Sequence, residues 1–453
     1  MIVNVNKYMR RKILKLAWPV VLEMFWIMVV NVSVTAMVGT FGAVALAAVG
    51  LSAMVQFSSA MVFAAAGTGA ASIVARESGA GNWEDVRLVA GQAVLLGLVL
   101  GSLLAISGYF IAPALFILTG AEPEVAGLGS ALLKIGFIFT PFFLVFSIGN
   151  AVLRGLGQTK TAFYISSASN TFALLLSFML INGYLLPGIG PYGAAWGTGV
   201  SQLIGGIAVL VVLSFNGKIK LNWHKVFSIR AAVLKRIVAI SVPAGLEQLA
   251  LQGGRVAYTF MLAKAGAIQF AAHQIAVQVE SISFMPGFGF SVAAMTLVGQ
   301  YIGKGLPHRS AQYAWLTNKI AILSMTAMGV VFFLFAERLT ALFISDTDVI
   351  YWGSMLVMIA AFEQPTIAIT YVLGGALRGA GDTKWPMYVT ITGVWLFRMP
   401  LIYLFVVVWN YDLTAAWYIT VGDFFLRSII LWWRFASNKW QDSVKTKSEL
   451  ISN

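Results

Sequence analysis

The chain has 453 residues, of which 59% are hydrophobic and only 10% charged, with a formal net charge of +13. Soluble domains carry about 25% charged residues, so a soluble globular class is excluded, as the mean hydropathy of +0.85 also indicates. The positive balance suits basic loops on one membrane face better than nucleic-acid binding, and the absence of Cys excludes disulfides, thiolate metal centres and Cys nucleophiles.

Uncharged runs such as 88–112 and 192–215 exceed the roughly 20 residues that cross a hydrocarbon core as a helix. In chain order, apolar runs lie at about 14–38, 42–66, 88–112, 126–150, 160–182, 192–215, 232–260, 266–292, 312–335, 350–375, 385–409 and 413–435. The first follows Lys7, Arg10, Arg11, Lys12 and Lys15 like a signal peptide, but it is longer than an h-region and is read as a retained helix. Nearly all other Lys and Arg fall in one alternating set of loops. The opposite set holds Lys134, Lys264 and Arg338, and Arg255, Arg398 and Arg427 lie within spans. The positive-inside rule then places both termini in the cytoplasm of a multi-pass protein of the bacterial inner membrane. The predicted class is an all-α membrane protein with twelve transmembrane helices in two pseudo-symmetric six-helix bundles. Residues 1–215 form the first lobe, 216–230 a basic cytoplasmic linker, 231–436 the second lobe and 437–453 a polar, disordered tail.

An internal repeat is the most informative feature. Arg154-Gly155-Leu156-Gly157-Gln158-Thr159-Lys160 recurs as Arg378-Gly379-Ala380-Gly381-Asp382-Thr383-Lys384, an offset of 224 (378 less 154). The same offset joins Pro19 to Pro243, Glu23 to Glu247, Pro141 to Pro365, and Gly79 and Gly81 to Gly303 and Gly305. Parallel repeats of even helix number suit carriers that place substrate between halves and rock one against the other. Pro19 and Pro243 are candidate hinges, with plain packing as the alternative. The Arg-Gly-x-Gly-x-Thr-Lys pieces are read as helix-ending turns whose Arg and Lys face the negative helix end and lipid phosphates.

These pieces, with Leu297-Val298-Gly299-Gln300-Tyr301-Ile302-Gly303-Lys304-Gly305 and the preceding Glu280 to Gly289, resemble the multidrug and toxic compound extrusion (MATE) family over essentially the whole chain. The resemblance implies two six-helix lobes about a central cavity, exchanging Na+ or H+ for organic, often cationic, substrates. The chain departs from many bacterial members at two places. Val34 precedes Thr35 where they carry Asp, and Leu174 follows Asn170 where a second Asp is common, so the N-lobe cation site of those members is missing.

Charges inside spans cost about 2.5–3.5 kcal/mol each on insertion scales and need an account. Glu23, Glu247, Glu280, Glu363 and Asp423 are the ion-coupling candidates, Glu247, Glu280 and Glu363 foremost. The structural alternative is pairing: Asp423 with Arg427 four residues on, Glu280 with Arg255, Glu363 with Arg398, and the twins Glu23 and Glu247 in the shared fold. An unpaired carboxylate at that depth favours its neutral form and could carry a proton. Gln56, Gln248, Gln252, Tyr258, Gln274, Gln278, Arg255 and Arg398 are candidates for lining a substrate cavity, although embedded glutamines often only bridge helices.

No metal site and no cofactor is expected beyond the coupling ion, since His224, His273 and His308 are far apart. Gly188-Ile189-Gly190-Pro191-Tyr192-Gly193 matches a dinucleotide fingerprint without its strand context. The expected partners are small organic substrates, a coupling cation and the bilayer; the expected protein is a monomer and not an enzyme. The main reading is secondary efflux of amphipathic, cationic compounds. Its alternative is a flippase for lipid-linked substrates, which should hold several cationic residues in its cavity. A membrane-embedded transferase would need paired Asp-rich motifs or a catalytic His.

Overall fold

The computed structural model describes residues 2–441 except 119, 185–187, 216, 218, 222–225 and 227. Eleven described helices are long and apolar enough to cross a membrane. In the first half they are α1 Asn6–Gly39, α2 Ala43–Ala80, α3 Trp83–Ile117, α4 Pro123–Gly155, α5 Thr159–Asn182 and α6 Tyr192–Phe215. After α7, Ala231–Leu262, come α8 Ala267–Gly303, α9 Pro307–Ala341, α10 Thr347–Gly379, α11 Lys384–Val408 and α12 Leu413–Ala436. Helix α7 is long enough to span but less apolar, because it carries Glu247, Gln248, Gln252 and Arg255. The all-helical class and six-plus-six order follow the sequence. Several helices run well past the apolar stretches: α8 has 37 residues, or about 55 Å at the helical rise.

The helix ends explain themselves locally. Asp346 caps α10 by accepting from the amides of Asp348 (2.9 Å) and Val349 (3.1 Å), and Asp412 caps α12 through the Thr414 amide. At the repeated motifs, Gly157 (φ 80°) and Gly381 (φ 82°) take the left-handed conformation. The amides of Gln158 and Asp382 then donate back to Leu153 and Leu377, the bond pattern that closes a helix on a glycine.

The first glycine of each motif has another duty. A Cβ on Gly155 would stand 2.6 Å from the Ala71 carbonyl oxygen, and one on Gly379 would collide with the Met295 carbonyl. Ala71 and Met295 are themselves repeat partners. Backbone cannot yield as a side-chain tip does, so we expect Gly379→Ala to destabilise the protein by about 1–3 kcal/mol. Thermal unfolding in detergent would check this; an unchanged melting temperature would contradict the close approach.

Contacts divide the chain into two compact units. One runs from Leu22 to Gly245; the other joins the residues up to Val21 with those from Leu246 onward. The cuts fall inside α1 and α7, just after Pro19 and Pro243, and not in the 216–230 connection. Each half thus lends the start of its first helix to the unit built mainly from the other half. In the second-half unit, Met9, Ile13, Leu16 and Ala17 of α1 join the core formed by Leu297, Val298, Tyr313, Ala321 and Leu373. In the first-half unit, Ile237 and Ile240 of α7 occupy the equivalent place beside Ile73, Val74 and Val86.

The polar fastenings also correspond at the repeat offset, with changed chemistry. Lys12 donates to the Tyr301 hydroxyl at 3.4 Å and lies 4.8 Å from the centre of that ring. Its twin Arg236 instead pairs with Glu77, the twin of Tyr301, and with Asp85 at 3.2 Å.

Two segments read as plain connections are packed. Ile219, Leu221 and Val226 of the linker enter the core of the first-half unit, and Gln92 holds the carbonyls of Val226 (3.0 Å) and Ser228 (3.1 Å). The start of the tail forms a short turn, Lys439–Gln441, in which Trp440 is buried and stacks on Phe435 at 5.0 Å. The indole outweighs the polar neighbours that suggested disorder. Residues 442–453 of the expected disordered tail, and His224, lie outside the described residues.

Candidate functional site

Five acids lie within the apolar runs read from the sequence, and the structure sorts them by partner. Glu23 of α1 and Glu247 of α7 are 2% and 4% exposed, and each is held by the arginine of a repeated motif. Arg154 donates to Glu23 Oε1 at 2.6 Å. Arg378 grips Glu247 with two donors at 2.5 and 3.3 Å, and the Thr390 hydroxyl donates to the same carboxylate at 3.3 Å. The motif arginines therefore do not face lipid phosphates. A buried carboxylate left alone costs more than drawing a guanidinium inward from the helix end, so the repeat conserves the pair as one unit. We expect a double-mutant cycle on Glu247→Gln and Arg378→Gln to give a coupling energy of about 1–3 kcal/mol in thermal stability. Additive losses would mean that the two groups act separately.

The remaining acids collect in the second-half unit. Glu280 sits on α8 and Glu363 on α10, about 20 Å and 24 Å along the axis from the starts of their helices. Asp423 sits on α12. Glu363 and Asp423 are fully buried and Glu280 is 8% exposed. Asp423 is doubly countered. Arg427, one turn on, donates through Nε at 2.7 Å and through Nη2, and Arg398 of α11 brings Nη2 to 2.7 Å of Oδ2. That last contact is an ion pair without hydrogen-bond alignment, so Arg398 Nε and Nη2 are buried donors lacking aligned acceptors among the described residues. Both guanidinium groups also lie 5.2 Å from the Phe424 ring, which favours cations on its face.

The local backbone permits this arrangement. Gly393 faces Asp423 and Arg427 so closely that a Cβ would collide with both side chains. It lies in Thr392–Arg398, a π-helical stretch of α11 that ends on Arg398 itself. Such register defects concentrate at functional positions.

Glu280 and Glu363 are the exceptions to pairing: among the described residues neither forms a salt bridge, and Arg255 is not drawn to Glu280. Both Glu363 oxygens are buried and no amide, hydroxyl or guanidinium of a described residue donates to them; the Glu280 carboxyl is the side chain near enough to bond Glu363. The ionisable group acting on it most strongly is Glu280, followed by Arg398 and Asp423. Glu280 in turn is acted on by Glu363, Arg398 and Arg255. Two carboxyl groups so placed can bond to each other only when one carries a proton, and two negative charges there require a shared cation. Arg398, expected beside Glu363, is drawn instead to Asp423.

An aromatic wall adjoins the pair. Tyr258 of α7 bonds the Thr420 side chain and senses Arg398, Glu280 and Glu363. Its ring lies 5.4 Å from that of His273, which is 5.7 Å from Trp417. His273 Nδ1, Trp417 Nε1 and Gln364 Oε1 are buried without a hydrogen-bond partner among the described residues. His273, Gln364, Thr420 and Trp417 were not legible as neighbours of the site, because they come from three helices and each suits a packed interior equally well.

The other candidates divide. Gln56 bridges helices, donating to the Gly136 carbonyl at 2.8 Å. Gln252 is buried, Gln248 and Gln278 are half-buried, and Gln274 and Arg255 are exposed. Val34 packs in an apolar cluster with Val38 and Ala45, and Asn170 spends its amide on the Ser166 carbonyl one turn back (2.8 Å).

Comparison with known proteins gives a consistent result. A family model described as MatE matches residues 19–179 and 243–404, two segments that follow the internal repeat. A Thermotoga maritima protein named "Probable multidrug resistance protein NorM" is 30% identical over 95% of this chain and 93% of its own length. A Shewanella oneidensis protein named "FAD transporter" is 25% identical over 86% of this chain and 87% of its own. Among solved structures, one described as the outward-facing conformation of a multidrug resistance MATE family transporter superposes with a TM-score of 0.88. It covers 96% of this chain and 97% of that chain at 21% identity, and so speaks for the fold.

Proposed function

The chain belongs to the MatE family of multidrug efflux transporters, and on that premise we propose that it exports amphipathic organic cations in exchange for Na+ or H+. The carrying observation is the Glu280–Glu363 pair. Glu363 is fully buried and no amide, hydroxyl or guanidinium of a described residue donates to its oxygens, which is costly in a membrane interior unless a cation comes and goes. Glu280 and Glu363 are the coupling residues in this reading; Glu23, Glu247 and Asp423 hold the fold through their arginines. Tyr258, Gln248, Gln252, Gln274, Gln278 and Arg255 serve the substrate path, while Gln56 is structural.

Alternating access proceeds by bending at Pro19 and Pro243. The coincidence of each proline with a change of packing unit supports that role. The protein acts as a monomer in the inner membrane with both termini in the cytoplasm, as the Lys and Arg distribution supports. Nothing in the site favours the flippase reading.

The deciding experiment is transport in proteoliposomes under imposed Na+ or pH gradients, with a panel of fluorescent cations. FAD, an anion, is tested beside the cations, because one relative bears that substrate in its name and Arg255 is an exposed cation within α7. Efflux driven by either gradient is expected; efflux indifferent to both would end the antiporter reading.

A further inference from the structure

The second-half unit holds an unmatched pair of surpluses in one buried place. Among the described residues, Arg398 has two buried donors, Nε and Nη2, without aligned acceptors, and Glu363 has two buried oxygens that no amide, hydroxyl or guanidinium reaches, with only the Glu280 carboxyl near enough to bond it. Arg398 acts electrostatically on both Glu280 and Glu363, yet its direct contact is with Asp423. At Asp423 it is redundant, since Arg427 already supplies two aligned hydrogen bonds to both carboxylate oxygens. A planar guanidinium gains most from a two-point grip on a carboxylate, which Asp423 can no longer offer and Glu363 can.

We propose that Arg398 is a mobile counter-cation for the coupling site. It rests against Asp423 while the carboxyl pair holds the transported cation, and it turns to Glu363 when that cation has left. The inference rests on the reading of Glu280 and Glu363 as the coupling pair. Arg398 thereby balances the empty site and eases release, and Asp423 is the parking place that withdraws it when the next cation binds. The groups around Arg398 fit both positions. Asp423 and Arg427 face it from α12, with Phe424 beneath; Glu363 acts on it from α10, Glu280 from α8 and Tyr258 from α7. Its place at the end of the π-helical stretch gives α11 a local irregularity from which the side chain can turn.

The proposal predicts opposite effects from the two members of one ion pair. Removing Arg398 removes the competitor for Glu363, so Arg398→Gln should bind the coupling cation more tightly. Removing the parking charge releases Arg398 to Glu363, so Asp423→Asn should bind it more weakly. The readout is the concentration of coupling cation, as Na+ or as pH, that gives half-maximal ethidium transport in proteoliposomes. We expect shifts of about tenfold or more in each direction, a unit charge being removed or freed beside the pair. Arg398→Lys keeps the charge without the fork and should shift in the same direction as Arg398→Gln by less, which serves if the neutral variant does not fold.

Shifts in the same direction for Arg398→Gln and Asp423→Asn, or none in Arg398→Gln and Arg398→Lys, would overturn the counter-cation role. A Glu363→Gln variant with full gradient response would remove the coupling site itself, a failure that the Arg398 and Asp423 shifts cannot mimic.

Discussion

Asp423→Ala is expected to lower the stability of the protein by about 3–5 kcal/mol, a larger loss than from Gly379→Ala. Asp423 is fully buried and touches two guanidinium groups, one of them 3% exposed. Truncation removes the carboxylate that Arg427 pairs with and leaves two like charges sharing the face of Phe424. Arg427 cannot reach water without leaving the helix packing, because it is 3% exposed and Gly393 brings the α11 backbone against it and Asp423. Asp423→Asn should cost less, since its amide oxygen still accepts from Arg427. The measurement is thermal unfolding of the purified variants in one detergent. A loss from Asp423→Ala no greater than from Asp423→Asn would show that the charge is not what holds α11 to α12.

Glu363→Gln is expected to abolish gradient-driven export, by about a hundredfold or more, while leaving the helices assembled. The amide is nearly isosteric with the carboxyl and adds no charge, so packing around this fully buried residue survives. What it cannot do is release a proton or neutralise a bound cation. Glu280→Gln should be the weaker lesion, because Glu280 keeps 8% exposure and Arg255 within electrostatic reach. Side-by-side transport under an imposed gradient checks both. Equal and undiminished coupling in the two variants would return these carboxyls to a structural role.

The repeat shows how far a linear text carries the fold. Offset identities announced two homologous halves, and the glycines that end helices at Gly157 and Gly381 were readable as turns. Such features depend on residue type and nearest neighbours, which are present in one dimension. The twin ion pairs were half legible: Glu23 and Glu247 stood out as embedded acids, and Arg154 and Arg378 as motif residues. Nothing along the chain said that they meet, because 131 positions separate each pair. The same holds for Lys12 and Arg236, which fasten helix starts to residues of the opposite half of the sequence.

The sequence by itself determined the membrane class, the six-plus-six helix order, the duplicated origin and the short list of embedded acids. Hydropathy, spacing and charge scarcity act on each segment separately, and lipid penalises any violation wherever it occurs. The tertiary structure alone decided which acid is neutralised, by which arginine, and which is left without a donor. A buried charge is governed by groups within a few ångströms, and those arrive from five helices whose mutual placement no local pattern encodes. For that reason Arg398 was expected beside Glu363 and is found against Asp423, where two guanidinium groups share one carboxylate and Glu363 stands open to a passing cation.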